Sequence, residues 1–174
     1  MSAILDFYEG KGRDGDGRTF DEILMLSNLG IEVEHGFIQF LFPLPEPSKA
    51  VLGSPILTPE DIAVFKAKNE HGGMARHDLS DQVVLATRLM AGFYATTGNW
   101  KYPRNHNHLR ITRIIRFLTL IGWHGHAENF YQVIMALYPQ VGKATEDSPT
   151  GKSLVVTRTF WQEALNEKPA WLET

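Results

Sequence analysis

The chain contains no cysteine among its 174 residues. Disulfides, thiolate nucleophiles and cysteine-ligated zinc are therefore excluded, and a reducing compartment, the cytoplasm, is expected. Long hydrophobic runs are also missing. The greasiest stretch, 109–123, is interrupted by Arg110, Arg113 and Arg116, and crossing a bilayer takes about 20 apolar residues, so no membrane partner is expected. The opening residues, Met1 to Phe7, lack the basic start and apolar core of a secretory signal. Basic excess is absent too: the formal net charge is -3, whereas dedicated nucleic-acid binders carry a cationic surplus, so no nucleic acid is expected. No serine sits in a nucleophile elbow, no glycine loop has the phosphate-binding pattern, and no paired carboxylates stand out. No cofactor is implied.

What is present reads as an all-α chain. It is 43% hydrophobic and 21% charged, ordinary values for a globular domain with a full core. The segment 10–18 is a glycine-rich loop whose Asp14 and Asp16 suggest calcium ligation, but Arg18 stands at the next ligand position and rules that pattern out. Thr19 and Glu22 have capping-box spacing and open a helix to about residue 27. A second helix is predicted over 31–42, followed by a connector that Pro43, Pro45 and Pro47 keep extended. Thr58-Pro59-Glu60-Asp61 starts a third helix, which Gly72-Gly73 ends. Ser80 is expected to cap a helix over 81–97, with Val83, Ala86, Leu89, Met90, Phe93 and Tyr94 on one face. The central, buried helix is placed at 107–121, capped by Asn107 and stopped at Gly122. Another runs over 127–137. Residues 141–151 read as a linker, 154–156 as a possible short strand, and 160–166 as helix. The expected organisation is one helical domain, 1–140, and a linker with a C-terminal helical segment, 141–174, in which Trp161 and Trp171 dock on the core.

Several of these stretches form a family pattern. Phe7-Tyr8, Gly10, Asp16-Gly17-Arg18-Thr19 and Glu22-Ile23-Leu24 open it. Ile31-Glu32 and His35-Gly36-Phe37-Ile38-Gln39-Phe40-Leu41-Phe42-Pro43-Leu44 form its most distinctive motif, and Met90-Ala91-Gly92-Phe93-Tyr94 and His106-Asn107-His108-Leu109-Arg110-Ile111-Thr112-Arg113-Ile114 follow. From about residue 4 to 137 the chain resembles the conserved N-terminal domain of the opioid growth factor receptor family. The short chain looks like a bacterial-type member. The resemblance implies a binding or regulatory role, since the family's animal members are named for binding the pentapeptide Met-enkephalin.

The candidate site follows from helical-wheel positions. On the central helix, Arg110 and Arg113 fall in an apolar arc with Ile114, Phe117 and Ile121, flanked by Leu109 and Leu120, while His108, Thr112, Arg116 and Thr119 make the polar side. A buried guanidinium needs a partner: Glu34, inside the apolar face of the predicted second helix, or an anionic ligand near the helix N-terminus. His35 and Gln39, four residues apart, can address one ligand or one neighbouring backbone. The expected ligand-binding set is therefore His35, Gln39, Asn107, Arg110 and Arg113, holding a small anion or a peptide carboxylate. The alternatives are an enzyme of unknown class acting on a small anionic substrate, with His35 as general acid or base, and a protein-interaction domain. No metal site is expected, because His106, His108, His124 and His126 lack ligand spacing with a carboxylate.

Overall fold

The computed structural model describes residues 2–69, 78–138 and 148–168. It is all-α, and among the described residues the only β pairing is a single bridge between Leu44 and Ile56. The chain divides into two units, 1–90 and 91–174. No helix among the described residues is long and apolar enough to cross a membrane.

The first unit is built on short, well-capped helices around an aromatic core. Helix α1, Ala3–Tyr8, is capped by Ser2, whose hydroxyl accepts from Leu5 N at 3.2 Å. It buries Phe7 and Tyr8, and Gly12 follows where a Cβ would meet the Phe7 backbone nitrogen at 2.8 Å. Helix α2, Phe20–Leu24, carries the predicted capping box: Glu22 N donates to Thr19 Oγ1 at 3.3 Å, and Thr19 N donates to Glu22 Oε2 at 2.7 Å. The rings of Phe7, Tyr8 and Phe20 meet at centroid distances of 5.2–6.0 Å, with Phe40 and Phe65 adding edge contacts at 5.5 and 5.1 Å. Such pairs add about 0.5–1.5 kcal/mol each beyond the area they bury. The Tyr8 hydroxyl donates to the Leu41 carbonyl, and burial holds its phenol protonated well beyond the ordinary range.

The single helix predicted over 31–42 is two helices, α3 (Asn28–Val33) and α4 (Phe37–Leu41). Ser27 caps the first, and Glu34 is extended at ψ 138°. An unbroken helix would carry Glu34 into the apolar face beside Phe37, Ile38 and Leu41; the break releases the carboxylate to meet a cation instead. Helix α5, Pro59–Asn69, begins as predicted, with Asp61 Oδ2 accepting from Thr58 N (3.1 Å) and Thr58 Oγ1 (2.9 Å). Its predicted stop at Gly72-Gly73 lies outside the described residues. Helix α6, Leu79–Thr96, contains the point where the two units divide. Its cap is Asp78 rather than Ser80: Asp78 Oδ1 accepts from Ser80 N at 2.9 Å and from the Ser80 hydroxyl, bonds that hold its carboxyl below the usual range despite burial.

After α6, the described residues of the second unit form a 3-10 turn, Asn99–Lys101, and three helices, α7 (Asn107–Leu120), α8 (His124–Leu137) and α9 (Pro149–Leu165), each packed on the other two. Helix α7 ends at the predicted glycine, Gly122, which adopts φ 80°. Helix α8 starts three residues earlier than the sequence suggests. The largest correction concerns α9: Ser148 caps it and Pro149 takes its first position, so the expected linker ends earlier and 154–156 is helix, not strand. Ser-Pro followed by a run of moderate helix formers is a start signal, and the β-branched Val155 and Val156 do not override it. Trp161 is fully buried within this unit; Trp171 lies outside the described residues.

Candidate functional site

In the first unit the two opening motifs meet at Arg18. Asp14 turns its buried carboxylate inward, accepting from the backbone N–H of Asp16 (3.0 Å) and Arg18 (2.8 Å) and from Arg18 Nε (2.9 Å). Arg18 Nη2 reaches Asp14 and Asp16 at 2.7 Å each, and Nη1 pairs with Glu34 at the α3–α4 break. Gly36 lets this cluster close, because a Cβ there would lie 2.7 Å from Asp16 Oδ2. The cation of this Asp-x-Asp-x-Arg loop is thus its own guanidinium. The spacing that excludes calcium is the sequence signal for the cluster. Its reach to Glu34 is not legible locally.

His35 is exposed and Gln39 buried on the same motif. With the Gln39 amide nitrogen facing the two carbonyls beside it, it donates to His35 O at 2.6 Å and Gly36 O at 3.1 Å, and its oxygen then lies 3.3 Å from the Ser48 hydroxyl. Gln39 therefore closes the backbone gap left by the helix break.

In the second unit Asn107 and Arg110 come together: Arg110 Nη1 donates to Asn107 Oδ1 at 3.3 Å, with Asn107 fully buried and Arg110 only 5% exposed. Asn107 is not the cap; Asn105 Oδ1 accepts from Asn107 N at 2.9 Å. Arg113 is half-buried. The predicted sidedness of α7 is corrected at four positions, Leu109, His108, Thr119 and Arg116. Leu109 is 75% exposed, while His108 and Thr119 are buried. Helix α9 covers what the wheel assigns to solvent: Trp161 Nε1 donates to the His108 carbonyl at 3.1 Å, and Arg116, expected to be solvated, forms a two-point pair with Glu167, its Nη2 2.6 Å from Oε1.

His108 is the centre of an aromatic box. Its Nε2–H donates to the Trp100 carbonyl at 2.7 Å, and its ring stands edge-on to Tyr138 (5.5 Å) and Trp161 (5.6 Å). Trp100 stacks on Tyr138 at 5.8 Å, and the Arg158 guanidinium lies over the Tyr138 ring at 5.7 Å from its centroid. Burial pushes the imidazole below its ordinary pKa, partly offset by the carbonyl bond, with His106 adding a small further depression. The native state therefore favours neutral His108, and the unfolded chain takes up the proton first. The stabilising contribution is complete above about pH 6.5 and is lost as pH falls from there toward the lower folded value, by at most about 1.36 kcal/mol per pH unit. Urea midpoints measured between pH 7.5 and 5 should fall more steeply for the wild type than for His108→Asn; equal slopes would remove His108 as the cause.

A groove of about 720 Å³ lies between α8 and α9. From α8 it is lined by His124, Glu128 and Gln132, one helix turn apart, with Gly125 and Tyr131; from α9 by Gln162, Leu165 and Asn166. Gln132 Nε2 donates to Glu128 Oε1 at 2.6 Å. A Cβ at Gly125 would meet nothing within 4 Å. The sequence reading missed this site because its two walls come from helices whose facing is set only on packing. Among the described residues no group of three or more His, Asp or Glu is arranged to hold a metal ion.

Comparison with known proteins places part of the chain. It is 34% identical to the opioid growth factor receptor of Homo sapiens over an alignment of 113 positions, gaps included, that covers 53% of this chain and 15% of the human protein. The receptors of Mus musculus and Rattus norvegicus are each 34% identical over alignments of 111 positions, gaps included, that cover 53% of this chain and 16% and 17% of theirs. About half of the chain is thus an opioid growth factor receptor-like region, and the match spans under a fifth of the length of these relatives. No family model matches the chain, and no solved structure matches it.

Proposed function

We propose that this opioid growth factor receptor-like chain is a peptide-binding module whose binding surface is the α8–α9 groove. The relatives are named as receptors of a growth factor, which puts binding ahead of catalysis. The observation that carries the reading is the amide lining of the groove. Gln132, Gln162 and Asn166 each carry a carbonyl acceptor and an NH₂ donor; one N–H of Gln132 is taken by Glu128 and one of Asn166 by the Gln162 backbone carbonyl, and a polypeptide backbone offers one donor and one acceptor per residue to match the rest. The volume falls in the roughly 300–1,000 Å³ range of ligand sites. Tyr131 and Leu165 supply apolar contact between the polar groups.

Asn107, Arg110 and Gln39 act in this reading as braces: Asn107 and Arg110 form a buried bonded pair, and Gln39 is taken up by its own loop.

Gly125 gives the test. Gly125→Ala adds a methyl into open space and removes a helix glycine, so stability should rise by up to about 1 kcal/mol. Gly125→Phe fills the groove. Selection from a random linear heptapeptide library against the purified chain should yield a binder that Gly125→Ala retains within about twofold and Gly125→Phe weakens at least about tenfold, a change of about 1.4 kcal/mol. Peptides that bind both variants equally, or no selectable peptide, would reject the groove as the site.

A further inference from the structure

Helix α9 buries one face, with Leu154, Thr157 and Trp161, and leaves the opposite face bare. On that outer face Val155, Val156 and Phe160 are 41%, 52% and 57% exposed, and Lys152, Thr159 and Glu163 are exposed with them. At about 100° per residue these six positions fall within an arc of about 140°. Lys152, Val156, Thr159 and Glu163 follow the four-three-four spacing of a helix–helix seam, with Val155 and Phe160 on its flanks. The Thr159 hydroxyl donates to the Val155 carbonyl at 3.1 Å, so it can be covered without losing its partner. The two charges run against the helix macrodipole, since Lys152 stands near the N-terminal end and Glu163 in the last turn. No opposite charge lies three or four residues from either of them, so neither is answered by a neighbour along its own helix.

We propose that the outer face of α9 pairs with the same face of a second copy of this chain, the two helices running antiparallel about a twofold axis. The face is its own complement. Centred between Thr157 and Arg158, an antiparallel copy sets Lys152 opposite Glu163, Val155 opposite Phe160 and Val156 opposite Thr159 of the second chain. Twofold symmetry makes each of those contacts twice. A parallel pairing would set Lys152 against Lys152 and Glu163 against Glu163, and like charges across an interface are disfavoured. The antiparallel arrangement also brings a carboxylate to the N-terminal end of each α9 and an ammonium to its C-terminal end, the placement that the macrodipole favours. A foreign helix would need these residue types in reverse order; a second copy supplies them. Phe160, the largest of the exposed groups, is the anchor. Lys152 to Glu163 spans about 17 Å of helix. Such a contact lies at the small end of specific interfaces, so the dimer forms at about 10–100 µM chain. None of the six residues lines the α8–α9 groove.

Sedimentation velocity on the full chain, from about 1 to about 300 µM, tests this by mass action. The mean mass should rise from that of one chain toward that of two. Phe160→Ala should weaken dimerisation at least about tenfold. Lys152→Glu and Glu163→Lys should each weaken it several-fold, because either reversal puts two like-charge contacts into the dimer. Mixed in equal amounts, these two variants should dimerise at least as well as the wild type, since their hybrid restores both opposite-charge contacts. At concentrations where every chain is monomeric, both reversals should melt at or above the wild-type temperature, as each aligns its charge with the macrodipole; a lost dimer is then not a lost fold. Gly125→Phe should dimerise as the wild type does, which keeps failure here distinct from failure of the groove. A chain that stays monomeric throughout would overturn the proposal and leave the face to a different partner. A dimer indifferent to Phe160→Ala would overturn it too, as would a mixture no better than its components.

Discussion

Trp161→Ala is expected to destabilise the chain by about 3–5 kcal/mol, the range for removing a large aromatic from a packed core. Trp161 is fully buried, its ring meets Tyr138 at 4.8 Å and His108 at 5.6 Å, and its Nε1 donates to the His108 carbonyl. Truncation opens a cavity at the junction of α7 and α9 and leaves part of the aromatic box without a partner. Against a typical total stability of about 5–15 kcal/mol, a loss of this size brings the second unit near its unfolding threshold at room temperature. Trp161→Phe separates the contributions: it keeps a ring in the cavity and removes the indole N–H, so it should cost far less than the alanine variant, with the missing hydrogen bond itself worth about 1 kcal/mol. Urea unfolding followed by the Trp100 and Trp123 fluorescence checks both. An alanine variant within 1 kcal/mol of wild type would mean that α9 does not depend on this side chain for its seat.

The second large effect is expected at Arg18. Replacing it by Met keeps most of the length and removes the charge, leaving the buried carboxylate of Asp14 and the carboxylates of Asp16 and Glu34 gathered without their shared cation. Removing one partner of a buried ion pair costs about 3–5 kcal/mol. The partial exposure of Glu34 and Asp16 places this cluster at the low end, near 3 kcal/mol. Glu34→Gln alone should cost under about 1 kcal/mol, because an exposed partner gains little from its pair. The double variant should be less destabilised than the sum of the two singles, since the pair shares one interaction. Backbone amide exchange should accelerate at 34–37 in Arg18→Met, because the guanidinium pins the break between α3 and α4. Simple additivity in the double variant would show that Arg18 and Glu34 do not act together.

These expectations bear on what a sequence reading reaches. The capping box of Thr19 with Glu22 and the helix start at Thr58-Pro59-Glu60-Asp61 were legible because their partners lie within three residues and need only the local backbone. Gly122 at the end of α7 was legible for the same reason, as was the apolar face of α6. The α3–α4 break was not. The periodicity of 31–42 is helical throughout, and the cation that meets Glu34 at the break comes from another loop. Arg116 shows the same limit on a larger scale, since its partner Glu167 is 51 residues away.

The candidate site divides along that line. Composition and pattern by themselves determined the all-α class, the absence of thiol chemistry, the central helix with its embedded arginines, and the stretch of sequence that resembles a receptor region. Only the tertiary structure decided which of those polar groups are buried and which face solvent. A helical wheel gives the angular order of side chains but not what covers each face: Trp161 of α9 covers His108, Thr119 is buried too, and Leu109 is left exposed. The groove between α8 and α9 likewise exists only once two helices, separated in sequence, have chosen the faces they turn to each other. Local propensity is written in neighbouring residues; the pairing of distant faces is decided by what the whole unit can bury.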